Sequence, residues 1–131
     1  MGRLATTAER GPHLVPVCFV LEGDRLYSAV DKKPKRTRRL KRLDNIRSHP
    51  WVSVLVDHYE EDWSQLWWVR LDGRAQILEG GPEHDHALAL LMEKYAQYRL
   101  EPPRGPVIAV AVERWRGWSA AGAAPDDGDS E

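Results

Sequence analysis

Nine of the 19 Lys and Arg residues of this 131-residue chain lie between Lys32 and Arg47, with only Asp44 against them. Because the formal net charge of the whole chain is −1, the rest of the chain is acidic. Pro34 suits the first turn of a helix, where its missing N–H would be unpaired anyway. We therefore predict a helix from Pro34 to about His49. Its free N–H groups and positive dipole end, beside these cations, favour a phosphate.

The candidate phosphate ligands lie at the start of that predicted helix. They are Lys32 and Lys33 just before it, and Lys35, Arg36 and Thr37 in its first turn. Two other interpretations stay open, a solvated basic face and a nucleic-acid site. A pI of about 6.5 and the lack of a recognised DNA or RNA module argue against nucleic acid. A single small phosphorylated ligand explains the local charge better.

Aromatic side chains could supply flat surfaces for a ring system, although a core role is commoner. Strand alternation places Trp67 and Trp68 on opposite faces. One of them must therefore face solvent, a ligand or a second subunit. The other candidate tryptophans are Trp63, Trp115 and Trp118.

Other reactive side chains predict little chemistry. His84 and His86 lie two residues apart on a predicted helix, so they do not share a face, and we expect a surface helix start rather than a metal site. Cys18 lies in an apolar run, which indicates a buried, inert thiol and suits a reducing cytoplasm. No nucleophile stands beside a base in a recognisable pattern, so no catalytic residue is predicted.

The order of elements favours a small antiparallel barrel over a doubly wound sheet, because the order β-β-β-α-β-β-α-β has no regular βαβ alternation. Pro16 inside a strand predicts an edge position or a bulge. Asp72 and Gly73 predict a bulge within one long strand. No apolar run approaches the ~20 residues that span a bilayer. The predicted strands are Arg3–Thr7, His13–Leu21, Arg25–Val30, Trp51–Val56, a long run from Leu66 and Val107–Trp115, with a second helix over Ala87–Tyr98.

Four segments carry a resemblance to a known family: GPHLVPVCF, LYSAVDKKPKRTRRLKRLDNIRSHPWVSVLVD, HYEEDWSQLWWVRLDGRA and VERWRGWSA. The chain resembles the pyridoxamine 5′-phosphate oxidase-like split-barrel flavoproteins from Arg3 to Ala120. In particular it is similar to the actinobacterial branch of deazaflavin (coenzyme F420)-dependent oxidoreductases. The resemblance implies a mainly β, six-stranded antiparallel split β-barrel over residues 1–118 that forms a homodimer, with cofactor sites at the subunit interface. Residues 119–131 are expected to form an acidic disordered tail.

The resemblance also implies a set of cofactor-binding residues. The expected phosphate ligands are Lys33, Lys35, Arg36 and Thr37, with Arg42 as an additional ligand. The residues expected to contact the ring system are Pro16, Val17, Tyr27, Ser28, Trp68 and Trp115. Trp68 stands where the oxidases carry a ring-contacting Gln.

The departures from the family pattern restrict the activity. The paired C-terminal basic residues that hold a pyridoxal phosphate substrate in the oxidases are absent after Trp118. Relatives in this branch begin with a helix, whereas this sequence opens on the strand at Arg3, so an N-terminally shortened form is one expectation. We expect a cytoplasmic oxidoreductase that uses F420 on a small organic substrate, without nucleic-acid or membrane partners. The alternatives are an FMN-dependent enzyme and a non-enzymatic carrier or sensor of flavin or deazaflavin.

Overall fold

The computed structural model describes residues 1–30 and 40–122. This part of the chain is mainly β, with seven antiparallel strands, three α-helices and a short 3₁₀ helix at Trp63–Gln65. The strands are β1 (Gly2–Ala8), β2 (Gly11–Val17), β3 (Val20–Glu22), β4 (Arg25–Ala29), β5 (Trp51–His58), β6 (Trp67–Leu78) and β7 (Val107–Ser119). The helices are α1 (Lys41–Ser48), α2 (Pro82–Lys94) and α3 (Ala96–Leu100).

The sheet has the order β2-β1-β5-β6-β7-β4-β3 and is curled. Its two edge strands, β2 and β3, are joined by Cys18 and Phe19 alone, so the sheet must curve until its edges approach each other. This is the predicted split-barrel class. The predicted strand His13–Leu21 is two strands, which raises the count from six to seven. Pro16 lies on the edge strand β2, as predicted from its missing N–H.

The core fills the inner face of the curled sheet. Large buried side chains from β1, β4, β5 and β7 form one cluster. The apolar stripe of α1 packs against it through Leu40, Leu43 and Ile46 at the predicted three-residue spacing. Asn45, which is also buried, donates from Nδ2 to Thr6 Oγ1 over 2.9 Å and ties α1 to β1.

The start of α1 corrects the predicted helix. Leu40 is extended, with φ −89° and ψ 127°, and the helix begins at Lys41 rather than running unbroken from Pro34. Leu40 is the N-cap residue, and its carbonyl oxygen accepts the first helical hydrogen bond, from the N–H of Asp44 over 3.3 Å. Residues 31–39 lie outside the described part of the chain.

A bulge is present at Asp72 and Gly73, where β6 meets β7, but it lies on the partner strand and not within β6 as predicted. Asp72 pairs with Arg114 and Gly73 with Val112, so Glu113 is the extra residue and the bulge lies on β7. A Cβ at Gly73 would lie 2.2 Å from the carbonyl oxygen of Ala111. Only glycine allows the two backbones to approach this closely.

The predicted second helix is broken in two at Tyr95, which is extended. Its hydroxyl bonds the backbone of Phe19, so a tertiary contact replaces the helical continuation. As expected, α2 covers the sheet, on the outer face of β4 and the first half of β7. His84 is buried on this helix and is not the surface residue that its spacing predicted.

The last strand is longer than predicted and extends to Ser119, which pairs with Trp67. Ala120 donates its N–H to the carbonyl oxygen of Leu66 over 2.9 Å, so the described backbone continues past the predicted boundary at Trp118. Residues 123–131 of the predicted tail lie outside the described part. Among residues 1–30 and 40–122, every helix is too short or too polar to cross a membrane.

Candidate functional site

The outer face of the sheet carries three rows of side chains that run across the strands, because strand pairing sets residues side by side about 4.8 Å apart. The first row is Leu14, Ala5, Ser53, Asp72 and Arg114. The second row is Pro16, Arg3, Leu55, Arg70 and Arg116. The third row is Asp57, Trp68 and Trp118.

Most members of these rows form the floor of an open, mostly apolar groove of about 520 Å³, whereas Pro16, Asp72, Arg114 and Arg116 lie outside its lining. Trp68 and Trp118 stand opposite each other at one end. Leu14 and Leu55 provide apolar floor, and Leu66 and Tyr59 complete the rim. The groove therefore offers flat apolar surface beside a row of cations, which suits a planar ring that carries an anionic group.

One buried carboxylate organises the cations. Asp72 accepts a hydrogen bond of 2.6 Å from Ser53 Oγ and one of 3.1 Å from Arg114 Nε, and Arg70 Nε lies 3.3 Å from its Oδ1. Burial opposes its ionisation, but the hydrogen bonds from Ser53 and Arg114 and the charge of Arg70 lower the pKa of Asp72 below its ordinary value. Asp72 therefore stays a carboxylate and holds two guanidinium groups in place.

The groove rim holds one further ion pair and one hydrogen-bonded histidine. Arg3 Nη1 lies 2.7 Å from Asp57 Oδ1. His58 Nε2 lies 2.7 Å from Glu60 Oε1, and its ring stacks on Trp67 at a centroid distance of 6.1 Å. Each titratable side chain at this end of the groove thus has a partner of opposite charge or a hydrogen-bonding partner.

The predicted phosphate ligands are only partly described. Lys33, Lys35, Arg36 and Thr37 lie outside the described residues. Arg42 lies in the first turn of α1. Its Nε is buried and has no hydrogen-bond partner within the described residues, and burial lowers the pKa of its guanidinium. It is therefore a cation whose Nε donor has no acceptor among residues 1–30 and 40–122.

The predicted ring-contacting residues are placed unequally. Pro16 is exposed in the second row of the groove face. Val17 is buried in the core, Ser28 Oγ donates to the Cys18 carbonyl over 2.8 Å, and Tyr27 Oη donates to Glu83 Oε2 over 2.7 Å. The side chains of Val17 and Ser28 thus point into the barrel and that of Tyr27 lies beneath α2, so only their backbone remains for a ligand in this conformation.

The two predicted tryptophans lie on opposite faces. Trp68 lines the groove, whereas Trp115 pairs with Leu71, a core residue, and so faces the other side of the sheet from Trp118. Trp68 and Trp115 of one chain therefore do not meet in this groove.

Metal and thiol chemistry have no evident site in residues 1–30 and 40–122. No group of three His, Cys, Asp or Glu side chains there could hold a metal ion. Cys18 is half-buried between β2 and β3 rather than fully buried as predicted.

Sequence reasoning missed the arginines of the groove. Arg70 and Asp72 follow Trp68 at two-residue spacing, so alternation places all three on one face. That signal was available in the sequence. The sequence carried no such signal for their cross-strand neighbours Arg3 and Trp118, because the placement of these two residues depends on the register of β1 and β7.

The curled seven-stranded sheet with this outer-face groove is a split-barrel architecture. The chain belongs to the pyridoxamine 5′-phosphate oxidase family, whose family model matches residues 1–119. A search of curated proteins gave no match.

Several solved structures share the fold. A conserved hypothetical protein from Mycobacterium tuberculosis has 19% identity and a TM-score of 0.73, over 99% of this chain and 84% of that one. A FAD-binding protein from Mesorhizobium loti has 24% identity and a TM-score of 0.67, over 88% and 83%. A heme binding protein from Mycobacterium smegmatis has 23% identity and a TM-score of 0.72, over 92% and 49%. At these identities the likeness concerns the fold.

Proposed function

We propose that this protein is a homodimeric oxidoreductase that binds the deazaflavin coenzyme F420, with FMN as the alternative cofactor. The substrate is a small organic molecule with an unsaturated or carbonyl group. Membership of the pyridoxamine 5′-phosphate oxidase family supports a flavin-type cofactor, as does the fold shared with a FAD-binding protein.

The observation that carries the proposal is the unused donor of Arg42. A buried cationic donor without a partner is costly unless an anion completes its hydrogen bonds. Arg42 directly follows the basic segment of the sequence, so the two together would supply a cofactor phosphate with several cations. The residues present therefore fit a phosphorylated cofactor.

The groove provides the fit for the ring. Trp68 and Trp118 offer flat apolar faces, and Pro16 lies on the same outer face. When bound, the cofactor ring supplies the hydride chemistry. The chain's own residues bind the cofactor, orient it and keep one face of the ring open to substrate.

A second chain would bring the predicted ring residues closer together. Ser28 pairs with Ile108 and Trp68 pairs with Trp118, so ten residues of β7 separate them. At ~3.3 Å per residue this is about 33 Å along the strand, longer than a flavin mononucleotide. A second copy that contributes its Trp68 to the site would close this gap, which supports the homodimer.

A non-enzymatic carrier is the second candidate. Two titratable groups lie at the Trp end of the groove beside Tyr59. Asp57 is paired with Arg3, and His58 is hydrogen-bonded to Glu60. No side chain there is poised to protonate a substrate, so in the enzyme the proton would come from solvent, and in a carrier none would be needed.

Cofactor titration and turnover test the proposal. Purified protein is titrated with F420 and with FMN, and binding is followed by absorbance. Reduced F420 is then supplied with a panel of enones and quinones. Catalytic consumption of the cofactor supports the enzyme, and stoichiometric binding without turnover supports the carrier. Binding of neither cofactor would refute both.

Light scattering on a sizing column tests the dimer. We expect twice the chain mass of 15.0 kDa at micromolar concentration. A monomer that still binds the cofactor tightly would contradict the shared site.

A further inference from the structure

The groove floor holds more positive charge than its carboxylates balance. Asp57 faces one guanidinium, that of Arg3, at 2.7 Å. Asp72 alone faces two, with Arg70 Nε at 3.3 Å and Arg114 Nε at 3.1 Å. Arg70 and Arg114 therefore share one carboxylate, that of Asp72, and this cluster of three side chains carries one more positive than negative charge beside an apolar cavity.

Arg70 has a hydrogen-bond donor without an acceptor among the described residues. Its Nε is buried and makes no hydrogen bond within the described residues, although Asp72 Oδ1, which accepts from Ser53 Oγ at 2.6 Å, lies 3.3 Å away. Its side chain lines the groove. The terminal amino groups of a guanidinium form a fork that matches the two oxygens of a carboxylate.

A flat apolar surface lies next to this fork. Trp68 precedes Arg70 by two residues on the same face, about 7 Å along the strand, and Trp118 stands opposite Trp68. An anion bound at Arg70 would therefore have a ring-stacking surface within the length of one small conjugated molecule.

We propose that Arg70, with Trp68 and Trp118, forms a subsite for a planar conjugated carboxylate, and that the substrates of this protein carry such a group. The proposal rests on the proposed function, because it names the substrate class of that site. The cofactor phosphate is a different anion, since its described candidate ligand, Arg42, does not line the groove. Asp72 is the positioning residue that holds the Arg70 side chain against the floor.

The test compares two probes of the same shape, 2-naphthoate and its neutral amide, 2-naphthamide. Each is titrated calorimetrically into the cofactor-free protein. A charge-assisted hydrogen bond changes affinity by roughly tenfold or more. We expect naphthoate to bind at least about tenfold more tightly than naphthamide. Equal affinities for acid and amide would overturn the proposal.

Two substitutions on one strand localise the effect. Arg70→Gln should remove the preference for the acid. Arg74→Gln is the matched control, because Arg74 lies four residues along β6 on the same face, pairs with Glu113 and does not line the groove. It should keep the preference. Loss of the preference in both variants, or in neither, would refute the assignment.

Folding is checked by circular dichroism. If Arg70→Gln does not fold, Arg70→Lys keeps the charge but loses the planar fork and should reduce the preference by about threefold or more. An unchanged preference in that variant would overturn the role of the fork.

Cofactor competition separates this proposal from the proposed function. In the proposed function the cofactor ring lies on the same tryptophan surface, so its open face would then provide the stacking surface. With saturating F420 or FMN, the preference for naphthoate over naphthamide should therefore persist, and loss of that preference would show that Arg70 serves the cofactor instead. If neither cofactor binds, the proposed function fails, whereas the acid preference of the cofactor-free protein is still decided by its own titration.

Discussion

The hydroxyl of Tyr95 makes two hydrogen bonds with the backbone of Phe19, accepting from its N–H at 3.1 Å and donating to its carbonyl oxygen at 3.0 Å. Phe19 belongs to the two-residue link between the edge strands β2 and β3. Lys94 Nζ lies 2.6 Å from the same carbonyl oxygen and 4.0 Å from the centroid of the Phe19 ring. Tyr95 and Lys94 thus supply hydrogen bonds to the backbone of Phe19 in the link between the paired strands β2 and β3.

Tyr95→Phe should destabilise the fold through this link. The Phe19 carbonyl keeps Lys94, but its N–H loses its partner while buried, which costs about 1–2 kcal/mol. Urea unfolding measures the change in the free energy of unfolding. Tyr59→Phe is the control, because Tyr59 is 68% exposed, and it should change stability by less than about 0.5 kcal/mol. Equal stabilities of Tyr95→Phe and the unmodified protein would contradict the link's role.

Gly73→Ala should be more damaging. The added Cβ would lie 2.2 Å from the Ala111 carbonyl oxygen, a backbone atom that cannot move without separating β6 from β7 at the bulge. We expect a loss above about 2 kcal/mol, or no folded protein. Gly80→Ala is the control, because it adds the same methyl group at a position where the Cβ would meet nothing within 4 Å. A Gly73→Ala protein as stable as Gly80→Ala would show that the strands can separate freely.

The sequence predicted features that depend on backbone chemistry. Pro16 marks an edge strand because it lacks a donor, and Gly73 marks a bulge because it lacks a side chain. Both rules act locally, so no knowledge of the fold was needed.

The features that were missed depend on distant partners. Tyr95 fits a helical period, and only its contact with Phe19, 76 residues away, shows why the helix breaks there. Arg3 and Arg114 of the groove face required strand register, which a single sequence does not contain. The helix start at Lys41 was missed because its N-cap residue, Leu40, lacks the polar side chain that marks a helix start in a sequence.

His84 should make the stability of the fold depend on pH. Its Nε2 lies 3.1 Å from the Gly105 carbonyl oxygen and its Nδ1 3.1 Å from Asp85 Oδ1, and both partners accept. The bond to Gly105 raises the pKa of His84 above its usual value, against burial, and Asp85 adds to the rise. A raised pKa in the folded state gives stability that is complete below the unfolded pKa of about 6.5 and is lost as pH rises through the folded value.

The measurement is urea unfolding of the unmodified protein and of His84→Gln from about pH 5.5 to about pH 8. The stability difference between them should be larger at the acidic end. His86→Gln controls for the loss of an imidazole from the same helix. A His84→Gln difference that is constant with pH would refute protonation of His84 in the fold.

Arg42→Gln should weaken cofactor binding without weakening the fold. Its buried Nε has no partner within the described residues, so the substitution removes an unpaired donor from the fold. The same substitution removes a charge-assisted hydrogen bond to the cofactor phosphate. We expect affinity for F420 or FMN to fall by about 1.5 kcal/mol or more, with the free energy of unfolding unchanged or raised. Arg47→Gln, on the same helix and exposed beside Asp44 and Glu79, should leave affinity unchanged. Lys35→Ala combined with Arg36→Ala should lower affinity by at least the same ~1.5 kcal/mol. Equal losses in Arg42→Gln and Arg47→Gln would point to a general effect of positive charge rather than a phosphate contact.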